Sequence, residues 1–92
     1  MRTLEDNVKV VLCDLVAKGS TWEQAYNELL DAFQENADDL YSRGEELADK
    51  LAKEGKTERY INLRLEAFQI AYEREMLCLH TTRKLKAEAY AG

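Results

Sequence analysis

Apolar residues recur along this chain three and four positions apart, and nowhere alternate with period two over a useful length. The first spacing marks one face of a helix; the second would mark a strand. The clearest run is Trp22, Tyr26, Leu29, Phe33, Ala37, Leu40, Gly44, Leu47 and Leu51. At ~100° per residue it occupies one stripe ~80° wide, the seam of a long amphipathic helix. A shorter run, Leu4, Val8, Val11, Leu12 and Leu15, predicts a helix before it. After it, one helix carries two apolar faces. Ile61, Leu65, Phe68, Tyr72, Met76 and Leu79 form the first, and Leu63, Ala67, Ile70 and Leu77 the second, with Tyr60, Ala71 and Cys78 between. Only a narrow sector of Asn62, Glu66, Gln69, Glu73, His80 and Lys84 is consistently polar.

The punctuation agrees. Gly19 and Gly55 closely follow Lys18 and Lys53, the pattern of helix ends closed by a left-handed residue. Ser20 with Glu23 matches the S-x-x-E capping box, and Thr57 offers a hydroxyl cap to the last helix. The expected helices span residues 3–18, 21–54 and 58–89. Both connections are short, which sets neighbouring helices antiparallel or sharply angled. The predicted fold is all-α: a short helix followed by a long antiparallel helical hairpin, an elongated three-helix bundle in a single domain, residues 1–92. Gly44 either ends the second helix early or lets another helix approach; a continuous helix, kinked there, is expected.

A helix apolar around most of its circumference must be covered on more than one side. The first helix can cover the third over about half its length. A second protomer is the expected cover for the rest, giving a homodimer through Ile61, Leu65, Phe68, Ile70, Tyr72, Met76 and Leu77. The alternative is a compact monomer in which the second helix breaks at Gly44 and folds back as a fourth.

Composition narrows the class. The chain has no proline, four glycines and 34% charged residues, which favours helices. No segment approaches the ~20 apolar residues that span a bilayer. The N-terminal stretch is acidic and lacks an apolar run of signal-peptide length, so a cytoplasmic protein without a membrane partner is expected. Cys13 and Cys78 lie inside helical patterns, the expected setting of buried thiols rather than of a disulfide.

Charge adds the most. Between Glu23 and Asp49 stand nine carboxylates and one base, a net charge of −8, whereas residues 1–22 balance at zero and residues 50–92 sum to +3. Glu28, Asp31, Glu35, Asp38, Asp39, Glu45, Glu46 and Asp49 fall within ~120° of one another, almost opposite the apolar seam. They extend ~31 Å, one charge per ~4 Å, close to the ~3.4 Å phosphate spacing along a DNA strand. Two readings are open. The stripe is the solvated outer face of a bundle helix, or it is a surface for a basic partner that excludes nucleic acid by competition. Interleaved bases at i, i+4 would normally offset the repulsion, and only Arg43 interrupts. The basic end, Arg83, Lys84 and Lys86, suits the negative pole of a helix C-terminus. A pI near 4.9 argues against direct nucleic-acid binding, which needs a basic patch.

Catalytic and ligand motifs are absent: there is no phosphate-binding glycine loop, no G-x-S-x-G and no C-x-x-C. His80 is the single histidine. Cys78 and His80 project ~200° apart on a helix and cannot chelate together. No carboxylate precedes histidine at the Glu-x-x-His spacing of bundle metal sites. The stretch from Leu15 to Ala25 resembles the entry to a helix-turn-helix, but the chain continues from there as acidic helix rather than as a recognition helix. No catalytic residue, metal or cofactor is expected.

The chain therefore reads as a non-enzymatic binding or regulatory protein. The first form is a small acidic inhibitor that offers its carboxylate stripe to the basic groove of a nucleic-acid-handling partner, by analogy with phage-encoded proteins that block host defence. The alternative is a homo-oligomeric adaptor or structural protein that uses the apolar face of its third helix, its acids only solubilising.

Overall fold

Three threonines set where the helices begin. In the computed structural model, which describes residues 2–91, Thr3, Thr21 and Thr57 each stand in extended backbone and accept a hydrogen bond from the N–H three residues on. Two of these caps are reciprocal. The Asp6 carboxylate accepts from the Thr3 N–H at 3.3 Å, and Gln24 Oε1 accepts from the Thr21 N–H at 2.9 Å. The second box is thus Thr21–Gln24, one residue later than the expected Ser20–Glu23. Ser20 closes the preceding turn instead, donating its N–H to the Leu15 carbonyl at 3.1 Å.

The caps open α1 (Leu4–Ala17), α2 (Trp22–Lys53) and α3 (Glu58–Tyr90). Gly19 and Gly55 end the first two with φ of 113° and 79°. At each, the glycine N–H and the next N–H satisfy two of the last helical carbonyls, the Schellman arrangement. The space around both glycines is open. Backbone conformation, not crowding, selects glycine there.

α2 is unbroken through Gly44, so the chain does not fold back into a fourth helix. A Cβ at Gly44 would stand 3.8 Å from the Phe68 Cβ and 3.9 Å from a Leu65 methyl, ordinary van der Waals contact. The glycine marks where α3 lies against α2.

The hairpin of α2 and α3 forms the body of the molecule. Along its seam Tyr26, Leu29, Ala37 and Leu51 of α2 are buried, while Phe33, Leu40 and Leu47 are half-buried. Tyr41 meets Tyr72 with ring centroids 6.1 Å apart, and Tyr26 meets Tyr90 edge-on at 6.0 Å. Lys86 Nζ donates to Asn27 Oδ1 at 2.8 Å across the two helices. α1 packs on both helices at the end of the hairpin away from Gly55. There Val8 and Leu12 join Ala25, Tyr26, Leu29 and Leu85 in the main core, with Leu4, Leu15, Val16 and Phe33 against it. Thr82, fully buried, donates its hydroxyl to the Cys78 carbonyl at 2.8 Å, which satisfies the only polar group it carries inward.

With 14 residues against 32 and 33, α1 clasps less than half of the hairpin. The result is elongated: 54 × 26 × 23 Å with a radius of gyration of 17.1 Å, against ~12 Å for a compact domain of this length. Three expected core residues lie outside the core. Trp22, the first residue of α2, is 48% exposed, and Val11 at the edge of the α1 stripe is 41% exposed. Cys13 is an exposed free thiol rather than a buried one, and Cys78 is half-buried and free.

Candidate interaction surface

The eight carboxylates of the stripe are all exposed. Their place comes from the seam: once Tyr26, Leu29, Ala37 and Leu51 turn inward, residues about half a turn away must face solvent. Among the described residues one stripe acid has an ion-pair partner, Asp39, held by Arg43 Nε at 3.1 Å one turn on. Asp38 accepts a hydrogen bond from the Gln34 amide at 3.0 Å. Asp31 with Glu35, Glu35 with Asp39, and Glu45 with Asp49 stand four residues apart, so like charges adjoin along the helix. Each such pair costs a few tenths of a kcal/mol (~0.2–0.5).

The residues expected at an oligomer interface divide into two groups. Leu65, Phe68 and Tyr72 face α2 of their own chain, beside Leu40, Tyr41, Gly44 and Ala48. Ile61 and Met76 are half-buried on the same side. Ile70 and Leu77 instead stand on the outer face with Leu63, and the three are 61%, 57% and 67% exposed. Ala67 beside them is exposed too. By sequence Leu63 belongs to this second face, yet the expected interface omits it; the heptad step 63, 70, 77 is the signal that would include it.

Between α2 and α3 lies an open, largely apolar groove of about 280 Å³. It is lined by Leu40, Tyr41, Gly44, Ala48, Phe68 and Tyr72 and rimmed by Glu45. Tyr41 lies ~160° around the α2 axis from the α1-covered Ala25, so the groove opens on the flank that α1 leaves bare. The Glu45 carboxylate, by hydrogen bonding and by its charge, pushes the Tyr41 phenol above its usual range.

Reactive groups are scattered. Burial, helped by the Glu75 carboxylate, pushes the Cys78 thiol up, away from the thiolate form that nucleophilic chemistry uses. His80 is exposed on the polar sector. Among the described residues no three His, Cys, Asp or Glu side chains gather closely enough to hold a metal ion, and no helix is long and apolar enough to cross a membrane. No family model, curated protein or solved structure matches the chain.

Proposed function

We propose that this is a non-enzymatic binding protein that presents the carboxylate stripe of α2 to a basic groove on a nucleic-acid-handling protein and competes there with nucleic acid. One observation carries the reading: all eight carboxylates point to solvent, and among the described residues only Asp39 is neutralised by an ion pair. A continuous helix holding charges ~4 Å apart over ~31 Å offers the spacing that a phosphate-binding groove accepts. The field of such a row also speeds encounter with a cationic cleft and weakens as salt screens it.

The test replaces Glu28, Asp31, Glu35 and Asp38 together by lysine. These side chains are exposed, so far-ultraviolet circular dichroism should remain that of the wild type. Tagged wild-type protein is expected to capture a nucleic-acid-binding protein from lysate, to release it as salt rises, and to lose it to added DNA or RNA. The four-lysine variant is expected to capture none. Equal capture by both proteins would overturn the proposal and leave the acids as solubilising groups.

A further inference from the structure

The chain's own fold leaves the apolar outer face of α3 uncovered. Leu63, Ile70 and Leu77 recur every seven residues, Tyr60 and Ala67 fall three residues before the first two, and Arg74 takes that place before Leu77, giving the alternating three-and-four step of a coiled-coil seam with one charged position. The chain exposes 6792 Å², whereas a compact monomer of its mass exposes ~5,500 Å². The surplus of ~1,300 Å² exceeds the ~800 Å² that each partner contributes to a standard interface.

The arrangement about Ile70 specifies what covers this face. Leu63 and Leu77 lie seven residues on either side of Ile70, and Glu66 and Arg74 lie four on either side. A twofold axis at Ile70 that reverses a second α3 therefore sets Leu63 against Leu77 of the second copy. The same axis sets Arg74 beside Glu66 of the second copy, twice over. Among the described residues neither Arg74 nor Glu66 has an ion-pair partner within the chain. A parallel pairing would stack Arg74 on its own copy, which like charge disfavours. The overlap is self-limiting as well. Because α3 begins at Glu58, the reversed copy ends opposite Thr82, before Leu85, which α1 already covers.

We infer that the protein forms a twofold dimer through antiparallel pairing of α3, with Ile70 at the axis, Leu63 against Leu77, and Arg74 paired with Glu66. This pairing leaves the α2 stripe out of the contact, so it stands or falls apart from the competition with nucleic acid.

Sedimentation equilibrium on the full chain is expected to give twice the 10.6 kDa chain mass. Ile70→Glu, at a largely exposed position, is expected to give the chain mass itself with helical content unchanged. Glu66→Arg and Arg74→Glu are each expected to weaken the dimer at least tenfold, and the two together to restore it. Direction is read by cysteine cross-linking in a Cys13→Ser, Cys78→Ser background. Ile70→Cys should oxidise to a covalent dimer with itself, and Leu63→Cys only when mixed with Leu77→Cys. A wild-type chain that stays monomeric at millimolar concentration would overturn the inference, and so would Leu63→Cys cross-linking efficiently to itself.

Discussion

Tyr26 shows how a single side chain reports on the packing around it. It sits on the α2 seam where α1, α2 and α3 meet, buried, with its ring edge-on to Tyr90. Burial raises its phenol pKa, and Tyr90 adds to the effect. A phenol with a raised folded-state pKa keeps its proton longer in the folded chain than in the unfolded one. Its contribution to stability is then complete below the ordinary value of 10.0 and is lost as pH rises through the folded value. Thermal melts between about pH 9 and 11 should therefore fall more steeply for the wild type than for Tyr26→Phe. Parallel slopes would show that the hydroxyl is already solvated. On α3, one carboxylate oxygen of Glu75 is buried with no hydrogen-bond partner.

Helix α2 holds the most direct test of element stability. Gly44 is helical, faces α3, and has room for a methyl at ordinary contact distance from Phe68 and Leu65. Gly44→Ala should stabilise the chain by about 1 kcal/mol through helix propensity, which raises the melting temperature by ~4–8 °C in a domain of this size. An unchanged or lowered melting temperature would mean that α3 needs the closer approach. The helices themselves are legible in the chain within a residue or two, because their signals are local. Gly19 and Gly55 have to adopt positive φ, Thr57 has to cap, and the three-and-four spacing from Tyr26 to Leu51 has to face one way. Sequence reasoning fails where tertiary position decides. Trp22 fits the α2 stripe by angle, but it is the first helical residue, at the open end of the seam, and about half of it stays exposed. Val11 and Cys13 fit a generic apolar helix, but α1 turns only the Val8–Leu12 side inward. The two faces of α3 are visible as a pattern. Which one α2 claims is not, because that depends on how the hairpin closes. The stripe acids can be placed outward from sequence, since opposition to the seam fixes them, but no local signal tells a solvated face from a used one.

As a whole the molecule is uneven along its length. α1 thickens one end of the hairpin to three helices, and the end toward Gly55 remains two helices thick. Between Asp38 and Cys78 the only buried side chain is Leu51, whereas Val8 and Leu12 of α1 join Ala25, Tyr26, Leu29 and Leu85 in one cluster, and Ala37, Leu79 and Thr82 are buried outside it. The bare half carries the apolar groove and the outer face of α3. Short placement of the clasp thus gives the chain a gradient of opening energies. Amides with few buried contacts exchange through small local fluctuations, and amides in a dense core exchange only when it opens as a unit. In the monomeric Ile70→Glu variant, hydrogen–deuterium exchange should run fastest for helical amides of residues 40–75 and slowest around Leu12, Tyr26 and Leu85. Uniform exchange along all three helices would show that the hairpin opens as one piece. A single chain built this way should open more readily at its thin end than at its thick one. Any partner that grips the thin end gains a second effect beside its contacts: it slows the local opening there, so binding can be seen in the amides before the bound surface is known.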